Sequence, residues 1–577
     1  MAEQSYWGKY LSRRVTRRKA IAGTAALTAS AAFLAACGGD DDDDDAGGGG
    51  TSGGSGSSSG DASGGGGAAS GEPKSGGIAR MNPVTPNDPA HFDLHQAADA
   101  TISWLMTVYY NQLVRFSEQE EGRIDPDLAA SWESPDELTL TFALNEANFH
   151  DGTPFTSEDA KVTIERVMDP PEGVVSTRQQ QFVSVDSIET PDERTVVFHM
   201  AQPSASFMGV LAQMNIGIYA AKDILADPVW HMTNVNGTGP FKPDRIDQGS
   251  LYTTVKNPDY FVEGLPYLDG LEWHIIPEEV AEFAAFQAGN LDLIDTPIAN
   301  VPDVEAMSDA TLLKNAGTAF WRTTVATFKE PWIDERTWKA VALAVNRQDF
   351  NLAAYQGQSL IGAMGVPAGS SWSLTHEDLL QVPGYAGLGD GQESEMEPRW
   401  AEARKLFAAA SIEEGRAVDL FGRDGSAAFQ THAEVVADGL RNAGLNPSIN
   451  LFERGTYDER LTAGDYGDIA ANSGSAVFPD PTPVFADTYA DGGARNYQKV
   501  VVPEASDLWR QQEAELDPQR RDEIQREMQK AYLAKYPLAT HCFTVTLQSF
   551  YNYVKDYGPL YGAFYQGRKF DRLWLDT

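Results

Sequence analysis

Phe149-His150-Asp151-Gly152-Thr153-Pro154-Phe155-Thr156-Ser157-Glu158-Asp159 carries three local instructions in one short run. Asp151-Gly152 supplies the positive-φ geometry of a tight turn. Thr156 stands where a helix N-cap belongs. Asp159, three residues on, puts a carboxylate in the place of the capping-box Glu. Just upstream, Leu138 to Leu144 reads Leu-Thr-Leu-Thr-Phe-Ala-Leu, the alternation of a half-buried strand. Strand, turn and capped helix in that order predict a mixed α/β body.

The same alternation of element types continues outward. Val183 to Val197 reads as two short strands around Pro191-Asp192, and Ile102 to Val114 as a buried helix. Glu278 to Gly289, Trp338 to Asn346 and Trp400 to Ala410 read as helices. Val418 to Phe421, Glu434 to Ala443 and Pro447 to Phe452 read as β-α-β, with Gly444 closing the helix. Asp517 to Lys535 is an amphipathic charged helix stopped by Pro537, and Ala539 to Tyr551 returns as a strand. No repeat of fixed period runs through this order, which argues against solenoids and propellers. About 500 residues follow the leader and its spacer, too many for one ordinary core and suited to two or three packed lobes.

The chain start reads as an address. Arg13, Arg14, Arg17, Arg18 and Lys19 precede an apolar run from Ala20 to Ala36, which ends at Leu34-Ala35-Ala36-Cys37. A positive flank, a short apolar run and small residues before a cut mark an export signal, expected over residues 1–36. Thr16-Arg17-Arg18-Lys19-Ala20-Ile21 resembles a twin-arginine motif without its usual aromatic residue. Leu34 to Cys37 resembles a bacterial lipobox, in which Cys37 becomes the first mature residue and carries acyl chains. Residues 37–77 hold six consecutive aspartates and Gly/Ser repeats, a composition too polar to fold and expected to act as a flexible tether. Gly56-Ser57-Ser58-Ser59-Gly60 matches a nucleophile elbow only formally, since neither strand nor helix flanks it.

Composition narrows function further. The formal net charge is −39, from 83 Asp and Glu against 44 Lys and Arg. Such a body repels phosphate backbones, which excludes nucleic acid as a partner class. With Cys37 committed to lipid, Cys542 is alone and the exported body has no intramolecular disulfide. The alternating Thr540-His541-Cys542-Phe543-Thr544-Val545 makes Cys542 a buried structural residue rather than a nucleophile.

Five blocks in order then resemble one family. They are Pro126-Asp127-Leu128-Ala129-Ala130-Ser131-Trp132-Glu133, the opening stretch Phe149 to Asp159, and Gly237-Thr238-Gly239-Pro240-Phe241 with Lys256-Asn257-Pro258-Asp259-Tyr260-Phe261. Ala288-Gly289-Asn290-Leu291-Asp292 and Trp338 to Arg347 complete the set. Together they resemble extracellular solute-binding proteins of family 5, the peptide/nickel class. The resemblance implies an α/β, two-lobed periplasmic-binding-protein-like fold with an extra subdomain, two hinge strands and a ligand between the lobes. On that pattern residues 78–318 form lobe I, with an inserted subdomain at about 115–232. Residues 319–546 form lobe II, and residues 547–577 return to lobe I. The crossings fall near Gly317 to Thr324 and Thr544 to Tyr551. The implied function is capture of a small, peptide-like solute for an ABC permease, by a monomer lipid-anchored to the cell membrane and facing the periplasm or exterior. No cofactor or resident metal is implied.

The resemblance also suggests where ligand would be met. Peptide-binding members carry an aspartate three residues before a D-P pair. Here that position is Val477, within Asn472-Ser473-Gly474-Ser475-Ala476-Val477-Phe478-Pro479-Asp480-Pro481. Asp480 either substitutes or simply forms an Asp-Pro turn. Arg423 falls where dipeptide-binding members grip a carboxylate, a role its fork of donors suits, although an exposed loop arginine reads the same way. Phe320, Trp321 and Tyr551 at the crossings serve as pocket walls or as core. Asn472, Ser473 and Phe478 complete the candidates, with Tyr110 and Asn111 as weaker ones. Nickel would need His91 and His95 on one helix face, and Pro89 argues against a helix there.

Three rivals stay open on sequence: the same receptor binding oligosaccharide or another non-peptide solute, an exported hydrolase working through paired carboxylates, and a receptor serving a sensor. With so many acids, carboxylate pairs discriminate nothing.

Overall fold

A computed structural model describes residues 71–577, except 84–88, 98–99, 119–122, 367–371, 386–395, 476–479, 539 and 559–567. The export signal, Cys37, the twin-arginine motif and nearly all of the tether therefore lie outside the described residues, as do Val477 and Phe478. In chain order the strands are β1 (Ile78–Met81), β2 (Val114–Phe116), β3 (Ile124–Pro126), β4 (Ala129–Asp136), β5 (Thr139–Leu144), β6 (Val185–Asp192), β7 (Thr195–Met200), β8 (Phe241–Asp247), β9 (Leu251–Lys256), β10 (Gly270–His274), β11 (Leu293–Asp295), β12 (Ala310–Val325), β13 (Ala417–Arg423), β14 (Asn446–Phe452), β15 (Ile469–Ser475), β16 (Phe543–Tyr551), β17 (Val554–Lys555) and β18 (Trp574–Leu575).

Ten of them make one sheet, in the order β14-β13-β15-β12-β16-β11-β1-β10-β9-β8. Its middle is the antiparallel pair β12–β16, which runs from Ala310↔Tyr551 to Phe320↔Phe543, with a register shift between Ala316 and Phe320. One flank is built from residues 417–475 and the other from residues 78–295, so the chain crosses between flanks on β12 and returns on β16. A separate four-stranded sheet, β4-β5-β7-β6, holds the subdomain together.

The opening stretch folds as its residues dictate. Asn148 and Pro154 bridge across the turn, and Gly152 sits at φ 85°. The Ser157–Met168 helix starts behind Thr156. Asp159 accepts from the Thr156 backbone N–H at 2.8 Å and from its hydroxyl at 2.9 Å, then from Ala221 N–H with its other oxygen at 2.8 Å. This capping box thus also ties the helix to the next segment.

One expected helix is cut short. Ile102 to Val114 is helical only through Ala100–Met106 and one tighter turn to Tyr109, and then becomes β2. The reason is a close backbone approach. Gly239 N–H donates to Tyr109 O at 2.9 Å, and a Cβ at Gly237 or Gly239 would overlap the Tyr109 backbone. A carbonyl committed to Gly239 is unavailable to a continuing helix.

Two large apolar cores follow the two flanks of the sheet. One gathers Phe320, Val325, Trp332, Trp338, Leu420, Val436 and Tyr532. The other gathers Met81, Tyr109, Tyr252, Trp273, Leu293 and Phe550, while the subdomain has its own around Phe142, Phe155 and Phe198.

Candidate functional site

Strand direction locates the site. β1 pairs in parallel with β10 and β11, and β11 pairs with β16 so that Asp295 lies opposite Gln548 and Leu293 opposite Phe550. The carboxyl end of β11 therefore points toward the crossing. On the other flank β13 is parallel to β14 and β15, and Ser475 at the end of β15 lies opposite Ala319. The carboxyl ends of both parallel sets face each other across the midline, where α/β sheets open a crevice for ligand.

The near wall is acidic. Gln548 Nε2 donates to Asp295 Oδ1 at 3.1 Å, and Gln548 Oε1 has no hydrogen-bond partner although the residue is buried. Glu282, on the Glu279–Gln287 helix, is also buried. Burial pushes its carboxyl up to about 8, against a hydrogen bond from Asn82, with Asp295 adding repulsion. Burial likewise pushes Asp295 up to about 6. Acceptors thus gather here, and among the described residues no cation pairs with them.

The far wall is cationic and aromatic. Arg423 ends β13 and lays its guanidinium 4.5 Å from the Phe429 ring centroid. Its Nε is buried without a partner. Phe429 also meets Trp321 edge-on at 4.7 Å, and Trp321 Nε1 donates to Tyr355 Oη at 2.7 Å. Arg423 and Trp321 are therefore brought together through Phe429, a half-buried ring that the sequence reading passed over. Asn472 and Ser473 lie side by side on β15, opposite Arg322 and Trp321.

The other candidates stand elsewhere. Phe320 is fully buried in the larger core and packs on Gly474. Asp480 caps the Pro481–Thr488 helix, accepting from Thr482 N–H at 2.8 Å, and pairs with Arg521 at 2.7 Å. Tyr551 stacks on Phe286 at 4.7 Å and donates to its carbonyl at 2.6 Å. Tyr110 packs in the near-flank core, and Asn111 donates to Asp127 at 2.5 Å.

His95 sits in a single tight turn, its Nε2 3.0 Å from Gly217 O and its Nδ1 2.7 Å from Arg166. Among the described residues no group of three or more His, Cys, Asp or Glu is arranged to hold a metal. Cys542 is fully buried, and burial pushes its thiol up to about 12, which suits packing rather than nucleophilic attack.

Asp295, Glu282 and Arg322 were missed by the sequence reading. Each had a faint signal: Asp295 and Arg322 are charges inside otherwise strand-like runs, and Glu282 falls on the apolar side of its helix.

A two-lobed α/β body joined by two central strands, with polar walls facing across them, is a binding protein of the periplasmic type. The model of bacterial extracellular solute-binding proteins, family 5, matches residues 123–496. The chain belongs to that family and is a solute-binding protein. It is 27% identical over 463 residues to an ABC transporter peptide-binding protein of Brucella ovis, covering 77% of this chain and 83% of that one. It is 26% identical over 412 residues to di/tripeptide-binding protein 3 of Pseudomonas aeruginosa, covering 66% and 72%. Among solved structures, DppA of Helicobacter pylori in complex with the peptide STSA superposes with a TM-score of 0.70 at 20% identity, over 87% of this chain and 99% of that one. The oligopeptide-binding protein AppA of Bacillus subtilis, in complex with a nonapeptide, gives 0.69 at 18%, over 88% and 100%. These two likenesses concern the fold.

Proposed function

We propose that this chain is the substrate-binding lipoprotein of an ABC importer, capturing a peptide or peptide-like solute and delivering it to a membrane permease. Cys37 carries the lipid, and the body works as a monomer outside the cell membrane. Lobe I is residues 78–318 and 547–577, and lobe II is residues 319–546. Peptide binding by the named relatives supports the ligand class. The observation that carries it in this chain is the opposition of charge: on one wall the Asp295 carboxyl, which no cation pairs with among the described residues, with the protonated Glu282 beside it, and on the other a guanidinium at Arg423. A zwitterion suits that spacing of signs, its ammonium toward the acids and its carboxylate toward a fork of donors. Trp321, Phe429 and Ser473 offer the solute an aromatic and hydroxyl lining. Phe320 and Tyr551 lie on the two hinge strands behind it and Asn472 on β15, and Phe478, outside the described residues, stays a candidate.

Isothermal titration of the full-length chain with di-, tri- and oligopeptides, and with oligosaccharides alongside, tests this. The expected result is binding of free-ended peptides, weakened at least tenfold by Arg423→Ala. Indifference to peptides with binding of a sugar would replace the ligand class. Turnover of any of them would replace the receptor with a hydrolase.

A further inference from the structure

In the core of lobe II a cation is buried with no carboxylate beside it. Arg322, on β12, is 2% exposed. Its Nη2 donates to Arg495 O at 3.2 Å, and its guanidinium lies 5.3 Å from the Tyr497 ring centroid. Its Nε and Nη1 have no acceptor. Among the described residues no Asp or Glu pairs with Arg322.

A second orphan donor stands next to it. Arg322 and Asn472 are direct partners in the β12–β15 register, so their side chains share one face of the sheet. Asn472 is fully buried. Thr324 Oγ1 donates to Asn472 Oδ1 at 3.1 Å, which fixes the amide and leaves Nδ2 without an acceptor.

The neighbouring hydroxyls are directed elsewhere. Tyr457 donates to Ala471 O at 3.2 Å, Tyr466 to Tyr497 O at 2.8 Å, and Tyr536 accepts from Val325 N–H at 3.1 Å. Tyr489 is hydrogen-bonded to the guanidinium, but a neutral hydroxyl cannot balance its charge.

We infer that Arg322 and Asn472 form a site for a small monovalent anion, a halide or a carboxylate. A buried ion without a counter-charge is costly, and burial of unmet N–H groups adds to that cost. One anion set between Nη1 and the Asn472 amide supplies the missing counter-charge and an acceptor for both of those groups. The inference does not require the captured solute to be a peptide. The anion comes either from solution or as the carboxylate of that solute, since β15 leads from Asn472 to the crevice at Ser475.

Chloride-35 NMR line broadening on the full-length chain tests the site. The expected result is excess broadening in the wild type that falls at least tenfold in Arg322→Met. Asn472→Asp, nearly isosteric, sets a carboxylate beside Arg322. It is expected to abolish the broadening and to raise the melting temperature, which keeps the test open if Arg322→Met fails to fold. Suppression of the broadening by trialanine but not by trialanine amide assigns the site to the solute's carboxylate. Broadening that trialanine leaves unchanged assigns it to free halide. No wild-type broadening, or broadening that survives both variants, overturns the inference.

Discussion

The two lobes differ in how they bury positive charge. In lobe I four buried or half-buried cations lie against a carboxylate, while Arg568 and Arg194 bond to carbonyls. Arg166 meets Asp93 at 2.6 Å, Arg80 meets Asp292 at 2.6 Å and Arg115 meets Asp571 at 3.2 Å. Lys569 lies 3.8 Å from Asp127. Among the described residues of lobe II, Arg521 and Asp480 form such a pair with both side chains largely buried. Its most buried cations rely on neutral oxygen and aromatic faces. Arg347 donates to the carbonyls of Thr540, Ala342, Gly384 and Pro537, and its guanidinium lies 4.1 Å from the Tyr385 ring centroid. Arg322 has one carbonyl, one ring and the Tyr489 hydroxyl. A cation cancelled by its own acid offers little to a ligand. One surrounded by carbonyls keeps its charge and gives its lobe a positive interior, as a wall facing an anion requires.

The sharpest test of this contrast is Asp93→Asn. It leaves Arg166 buried with His95 and a carbonyl, and removes the counter-charge together with the oxygen that accepts from Arg166 Nη2 and Gln96 Nε2. Breaking a buried pair from one side costs about 3–5 kcal/mol. Urea denaturation should show a loss of that size; a loss below about 1 kcal/mol would break the contrast.

Arg347→Met should cost less, about 1–3 kcal/mol, because what it strands is carbonyls rather than a charge. The same denaturation series ranks the two, and a larger loss in Arg347→Met would reverse the reading.

The smallest expected effect is in the pH profile. Burial pushes His95 down to about 4, and His231 and His432 to about 3, from 6.5. As pH falls from about 6.5 toward 4 the unfolded chain takes up protons that the folded chain refuses, so stability falls with pH. Glu282 has the opposite sign. Its carboxyl, raised from 4.5 to about 8, holds a proton in the folded state that the unfolded chain has released. Its contribution is complete below about 4.5 and is lost as pH rises through about 8. Melting temperatures from pH 4 to 9 should show both slopes, and Glu282→Gln should flatten only the alkaline one, by about 1–2 kcal/mol.

Local chemistry made the scaffold legible. The Asp-Gly turn, the Thr156 cap and the two strands of the β-α-β run from Val418 to Phe452 appear within a few residues of their expected places, because each is fixed by neighbours in sequence, while the helix expected from Glu434 already starts at Ala427 behind the Ser426 cap. The site was legible only in part. Arg423 was visible because a strand and a helix frame it. Arg322 was not, since what distinguishes it is the lack of an acid brought from anywhere in the chain, and a lack has no motif. Asp295 and Glu282 become one cluster only when β11, β16 and a helix converge, contacts spanning more than 250 residues. The helix expected through Val114 failed for the same reason: the glycine segment that ends it comes from Gly237 and Gly239.

The central ladder has a further consequence for motion. Between Ala316↔Val545 and Phe320↔Phe543, β12 advances four residues while β16 advances two. That surplus is slack wound into the midline. The carbonyl of Ala319 is held there by the Thr544 hydroxyl at 3.2 Å, a side-chain bond that can swivel as a ladder amide cannot. The sheet is therefore scored like card along its own centre. A bend at that crease would leave the ladders on either side with every bond they have.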